Sequence, residues 1–309
     1  MSRIAFVFPG QGAQYVGMGK DFYENFDVCK EVFETARKVT GLDIKGICFD
    51  ENEQINITEY TQIAMLTVEV ALMKVLEEKG IKPEVTAGLS LGEYGALVTA
   101  GVLSTEEAFK VVRQRGILMQ EAVPTGGAMA AVLGMDSDKI AKICEETEGI
   151  VSVANYNCPG QIVITGEETA VDAACETLKE NGAKRCVKLN VSGPFHSAML
   201  KEAGEKLLQV LNEVTIGDIK VPYLTNVTAD YVADKEEVKD LLKQQVYSSV
   251  KWQQSVEKMI ADGIDTFIEI GPGKTLAGFM RKIDKEKKVT MLNLEKQEDL
   301  EKIMETILG

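Results

Sequence analysis

The chain has 309 residues, 45% of them hydrophobic and 27% charged, with a formal net charge of −14 at pH 7. That length suffices for one large or two smaller domains around a substantial core, and the composition excludes a disordered chain. The acidic balance excludes a general nucleic-acid binder, which needs a basic surface against phosphate.

Ile4–Phe8 is an apolar, partly β-branched run ending in Pro9-Gly10, the pattern of a buried parallel strand entering a loop. It is too short for the apolar core of a signal peptide, and no apolar run approaches bilayer length, so a cytoplasmic protein without membrane contact is expected. In that setting Cys29, Cys48, Cys144, Cys158, Cys175 and Cys186, which show no C-x-x-C spacing, read as reduced and mostly buried thiols. Thr58–Gly80 carries apolar residues at helical spacing and ends in glycine, predicting a long helix. Val85–Gly88 reads as a short strand and Leu91–Ala100 as a helix of small and apolar residues. Ser104, with Glu107 three residues on, forms a capping box that opens another helix. Strands alternating with helices predict a parallel α/β sheet.

The pattern changes near "PTGGA", residues 124–128. Met129–Leu133, Ser137–Thr147, Ile150–Asn155, Gln161–Thr165, Glu168–Asn181 and Lys184–Leu189 read as β, α, β, β, α and β, with a Cys158-Pro159-Gly160 turn between the middle strands. That order is ferredoxin-like. The expected architecture is a large α/β-hydrolase-like domain with a parallel sheet, residues 1–124 and 191–309, into which a small ferredoxin-like domain, 125–190, is inserted. The large domain resumes at the 191–199 loop and is expected to end with a strand over Thr266–Ile270, the Gly271-Pro272-Gly273 turn and a helix.

Two glycine-rich stretches fail as phosphate loops. "GPGKT" at 271–275 has Ile268 where a P-loop needs its leading glycine, and "GQGAQY" at 10–15 places Tyr15 where a G-x-G-x-x-G motif needs its last one. His196 is the only histidine, which excludes a metal site built on imidazoles, and the scattered cysteines form no zinc pattern. Gly88-Leu89-Ser90-Leu91-Gly92 is a G-x-S-x-G sequence between a predicted strand and a predicted helix, the context of a nucleophile elbow. If an imidazole activates Ser90, it belongs to His196, and the Leu91 N–H at the new helix's start would face a developing oxyanion. As the only imidazole, His196 is expected to have an ordinary pKa of ~6.5 that the acid limb of acylation would follow; the alternative is that Ser90 caps the helix and His196 is structural.

"FPGQGAQ" at 8–14, "GLSLGEY" at 88–94, "RQRGILMQEAVP" at 113–124, "GPFHSAM" at 193–199, "QVYSSVKW" at 245–252 and "EIGPGKTL" at 269–276 occur in this order. Together they resemble the malonyl-CoA:acyl carrier protein transacylase family of bacterial type II fatty-acid synthesis, over essentially the whole chain. The resemblance implies that Ser90 is the nucleophile, His196 its general base, and the backbone N–H groups of Gln11 and Leu91 the oxyanion hole. It implies that Arg115 binds the free malonyl carboxylate, a role suited to a planar, permanently charged fork. Composition alone does not separate Arg115 from Arg113, and an exposed helix arginine is the other reading. Gln245 matches a position whose backbone carbonyl orients the base in place of a triad carboxylate. Asn155 and Phe195 match pocket-lining positions, though Asn155 reads equally well as a turn residue. The chain departs from the family at Leu89, where His is usual, and at Ser249, where Pro is common.

The implied activity is a ping-pong transfer of malonyl from malonyl-CoA, through a malonyl-serine, to the phosphopantetheine thiol of holo acyl carrier protein, supplying chain extension. No metal or bound cofactor is implied; the CoA thioester is a substrate. A G-x-S-x-G esterase or thioesterase, or a non-catalytic carrier-binding relative, are the rival readings. The carrier is expected to be acidic like this chain, so docking would need a local basic patch, either 281–288 or Lys184, Arg185 and Lys188.

Overall fold

Five apolar residues without a polar break make Ile4–Phe8 a strand buried at every position. The computed structural model describes residues 2–191 and 193–309. Among these, the strands are β1 (Ile4–Phe8), β2 (Val85–Gly88), β3 (Gly127–Leu133), β4 (Val151–Cys158), β5 (Gln161–Glu167), β6 (Arg185–Lys188), β7 (Thr266–Ile270) and β8 (Thr290–Leu294).

The larger sheet has the order β2-β1-β7-β8, with every pairing parallel. Helices cover both faces, which is why its inner strands read as apolar runs rather than alternating ones. On one face the helix Thr58–Glu78 is buried at every position from Thr61 to Met73 and packs with the helices Gly92–Thr99 and Thr105–Ala122. A helix enclosed on all sides has no polar stripe, so its sequence is nearly uniformly apolar there. On the other face lie the helices Trp252–Ala261 and Thr275–Ile283, contributing Trp252, Val256, Met259 and Phe279. The loops after β1, β2 and β7 all leave the carboxyl edge of the sheet, and the chain switches sides at β1. That edge is where open α/β sheets bind ligands.

The smaller sheet is antiparallel, in the order β4-β5-β3-β6 that a ferredoxin-like unit requires. Its two helices, Ser137–Glu146 and Glu168–Glu180, cover one face over a separate core of Val132, Ile140, Val153, Ile164, Val171 and Leu178. The opposite face turns Met129, Ala131 and Val163 toward the carboxyl edge of the large sheet. A register shift between Val153 and Asn155 turns Asn155 to that face as well, so Asn155 is a strand residue and not a turn residue.

The elements expected from sequence are present, and further helices that it did not single out join them, among them Lys20–Asn25, Asp27–Thr40, Lys201–Asn212 and Val238–Gln245. β8 and the helix Gln297–Leu308 extend the large sheet beyond the helix with which it was expected to end. β8, "TMLNL", has only partly buried residues between its apolar ones and follows the charged run 281–288, so no apolar signal announces it. Ser249, where the resemblance often has Pro, is a cross-link. Its Oγ donates to the Val153 carbonyl at 2.6 Å, beside backbone bonds from Val250 N–H to the Ala154 carbonyl and from Tyr156 N–H to the Val250 carbonyl. Removing this hydroxyl in Ser249→Ala should lower the free energy of unfolding by about 1 kcal/mol in urea titration, with the two sheets otherwise unchanged.

Candidate active site

The steric logic of G-x-S-x-G is visible atom by atom. A Cβ on Gly88 would overlap the Gly92 backbone, and one on Gly92 would overlap the Phe8 carbonyl, so the turn closes only with glycine at both positions. Ser90 between them takes φ 54°, a left-handed conformation that costs a non-glycine residue energy and is retained where surroundings fix it. The fixing groups come from other segments. Asn226 Oδ1 accepts the Ser90 N–H at 2.7 Å, while its Nδ2 donates to the Gly88 carbonyl at 2.7 Å. Gln245 Nε2 donates to the Ser90 carbonyl at 3.0 Å.

The Ser90 hydroxyl does not cap the following helix, whose first residue is Gly92. Its Oγ instead lies 2.8 Å from His196 Nε2. His196 is also at positive φ, 61°, and is only 4% exposed. Its Nδ1 lies 2.8 Å from the Gln245 carbonyl oxygen. A carbonyl can only accept, so Nδ1 carries the proton and Nε2 presents its lone pair to the serine. Gln245 is the last residue of the helix Val238–Gln245, whose final carbonyls have no intrahelical donor and carry the negative end of the dipole. A helix end thus stands where a carboxylate stands in a Ser-His-Asp triad.

Burial, with the Arg115 charge adding to it, pushes the His196 imidazole down to about 4, against the bonds it makes to backbone carbonyls. The ordinary value near 6.5 expected from sequence does not hold, because desolvation of the cation outweighs those bonds. At neutral pH the ring is uncharged and able to accept a proton.

Arg115 is not an exposed helix arginine. It is 1% exposed, and its Nη1 donates to Gln62 Oε1 at 2.7 Å. Its Nη2 donates to Gln245 Oε1 at 3.0 Å and to Ser90 Oγ at 3.2 Å. The Tyr94 ring lies beneath it, 5.4 Å from centroid to guanidinium carbon. Arg113 is engaged elsewhere, in an ion pair with Glu59 at 2.9 Å, which separates the two arginines.

Around this group a cavity of about 390 Å³ opens between the two sheets, lined by Gln11, Leu91, Asn155, Phe195 and the three polar side chains just described. Every residue singled out by sequence therefore reaches one place, Gln245 through its hydrogen bonds. The N–H groups of Gln11 and Leu91 donate to no acceptor among the described residues. The Gln11 loop is held by its side chain, whose Nε2 donates to Thr58 Oγ1 at 3.0 Å. Leu89 lines the cavity and packs against Gly10, where a Cβ would come within 2.7 Å of its Cδ2. Three participants escaped the sequence reading: Gln62, Glu93 and Asn226. Glu93 stood inside a quoted motif, but Gln62 lies in an apolar helix and Asn226 in a loop with no pattern.

"GPGKT" has its own structural account. Both Glu269 oxygens accept backbone N–H groups at the start of the helix Thr275–Ile283, from Leu276 at 2.9 Å and Ala277 at 2.8 Å. A protein carboxylate thus occupies the helix end that a phosphate loop would offer to its ligand.

Residues 5–303 match the family model described as acyl transferase domain. The malonyl CoA-acyl carrier protein transacylase of Bacillus subtilis is 47% identical over 290 residues, covering 92% of this chain and 92% of that one. The crystal structure of the malonyl CoA-acyl carrier protein transacylase from Clostridium perfringens superposes with a TM-score of 0.95 at 45% identity, covering 99% of this chain and 98% of that one. A malonyl-transacylase solved in complex with its type II PKS acyl-carrier protein gives a TM-score of 0.95 at 39% identity, covering 99% of this chain and all of the other. With the elbow, His196 and the buried arginine in one cleft, the chain belongs to the acyl transferase domain family, in its malonyl-CoA:acyl carrier protein transacylase branch.

Proposed function

We propose that the chain moves malonyl from malonyl-CoA to the phosphopantetheine thiol of holo acyl carrier protein by way of a malonyl ester on Ser90. The observation that carries this reading is Arg115, a buried guanidinium 3.2 Å from Ser90 Oγ and without an ion-paired carboxylate among the described residues. Such a cation beside a nucleophile is a receptor for an acyl group that itself ends in a carboxylate.

In the first half-reaction His196 Nε2 takes the Ser90 proton as Oγ attacks the thioester carbonyl. The Gln11 and Leu91 N–H groups receive the oxyanion, each contributing about 3 kcal/mol to the barrier reduction. Collapse breaks the carbon–sulfur bond, and the departing CoA thiolate takes the proton from His196. In the second half the carrier's thiol gives its proton to His196 and attacks the ester, returning Ser90 with that proton. Protein groups and the two thioester carriers complete this chemistry, with no step requiring a metal or bound cofactor. Asn155 and Phe195, on the walls of the cleft, would contact the acyl group or the pantetheine arm. We assign catalysis to residues 1–124 and 191–309, with 125–190 as the domain closing over the cleft, and cytoplasmic residence is supported by six unpaired thiols. Each candidate basic patch has one lysine already in an ion pair, Lys188 with Glu168 and Asp172 and Lys288 with Glu286, and either patch would serve as the carrier-docking surface through its remaining cations.

An esterase would release the acyl group to water and has no use for the buried arginine. With malonyl-CoA and holo carrier protein together, the malonyl group should appear on the carrier thiol rather than as free malonate; free malonate as the main product would support the esterase. Arg115→Ala should lower kcat/KM for malonyl-CoA by about a hundredfold, the usual cost of truncating a buried, hydrogen-bonded charge pair, and leave acetyl-CoA largely unaffected. Because the neutral imidazole is the base, acylation should be lost only as pH falls through about 4, and NMR titration of the single histidine should place its midpoint there. A midpoint near ~6.5 would contradict the burial of His196 in the working enzyme.

A further inference from the structure

Arg115 raises an electrostatic problem that its own hydrogen bonds do not solve. A guanidinium 1% exposed needs counter-charge, yet its partners Gln62, Gln245 and Ser90 are all neutral. The counter-charge lies one residue further on. Gln245 accepts from Arg115 through Oε1 at 3.0 Å and donates through Nε2 to Glu93 Oε2 at 2.7 Å. Cation and carboxylate fix the orientation of the amide between them, since its oxygen must face the donor and its nitrogen the acceptor.

Glu93 is fully buried, and Oε2 also accepts the Asn226 N–H at 3.1 Å. The carboxylate therefore anchors both residues that grip the Ser90 backbone, Asn226 and Gln245. A carboxylate bonded directly to Arg115 would occupy the fork and compete with any ligand for it. Displaced by one amide, the negative charge offsets the guanidinium while Arg115 still lines the cavity.

We propose that Glu93 is the counter-charge of Arg115, relayed through the Gln245 side chain, and that this bridged pair sets how strongly the site prefers acyl groups ending in a carboxylate. This rests on the transacylase reading above. Glu93 touches no reacting atom and is a positioning and specificity residue. Its negative charge stabilises the buried arginine at rest and repels an incoming carboxylate, so it moderates selectivity for malonyl.

The test compares acylation of the protein by malonyl-CoA and by acetyl-CoA in rapid-quench experiments, read as the ratio of the two kcat/KM values. Glu93→Gln keeps an oxygen that can accept both present donors and removes the charge. The ratio should rise about tenfold in favour of malonyl, the size of a charge interaction across a short path in a partly polar interior. In an Arg115→Ala background the same substitution should leave the ratio unchanged. A ratio unmoved by Glu93→Gln, or moved equally without Arg115, overturns the proposal; a wild-type protein that takes up no malonyl would instead overturn the transacylase reading.

The pH dependence of the same ratio offers a second test. Burial pushes the Glu93 carboxyl up to about 7, so its charge appears over the neutral range. Among the groups facing it, Arg115 stays charged, His196 stays neutral, and Tyr94 and Tyr223 are pushed up by burial and stay protonated. Glu69, on the other side of the helix at Gly95, is also pushed up by burial. The malonyl-to-acetyl ratio should therefore fall as pH rises through about 7 in the wild type and stay flat in Glu93→Gln. A wild-type ratio that stays flat, or an equal fall in the variant, which would trace the effect to another buried carboxyl such as Glu269 or Glu69, contradicts the inference.

Discussion

A positive charge taken out of water beside a serine is the constraint around which this molecule is arranged. Arg115 sits at 1% exposure, on a helix packed against Thr58–Glu78, which is buried from Thr61 to Met73, and each polar group that meets it comes from a different part of the chain. Gln62 approaches from that central helix, Ser90 from the loop after β2, and Gln245 from a helix end 130 residues further along. Desolvating such a cation costs several kcal/mol unless neighbours compensate, so these contacts cannot be varied one at a time. Met129, Ala131 and Val163 of the small sheet line the cavity opposite Ser90, so both sheets form its walls.

The same economy governs the base. Gln245 offers its side chain to Arg115 and Glu93 while its main-chain carbonyl accepts from His196 Nδ1. One residue thus orients both His196 and Arg115. Ser90 and His196 meet in left-handed backbone conformations at φ 54° and 61°, held by the surrounding hydrogen bonds rather than by local preference. Strain at both reacting residues is sustained because the surroundings over-determine them.

How far the sequence could be read depended on how local each demand was. The elbow was legible because its requirement, no side chain at Gly88 or Gly92, is met within five residues. His196 was legible because it has no competitor in the chain. The role of Arg115 came from resemblance and not from physics, since Arg113 two residues away has the same composition and only tertiary packing buries one of them. Asn226, Gln62 and the contacts of Glu93 were not legible, because each depends on partners 50 or more residues away in sequence. β8 was missed for a related reason: an edge strand of partly buried residues lacks the continuous apolar run that marked β1.

The central claim is that Ser90, in this strained and desolvated setting, becomes covalently malonylated. The most direct measurement is rapid acid quench after mixing with malonyl-CoA, followed by proteolysis and mass spectrometry to locate the acyl group. The account predicts a malonyl ester on the peptide carrying Ser90, formed fast enough to precede transfer to the carrier and absent from Ser90→Ala. A malonyl group on any other residue, or transfer to the carrier at an undiminished rate in Ser90→Ala, would contradict it.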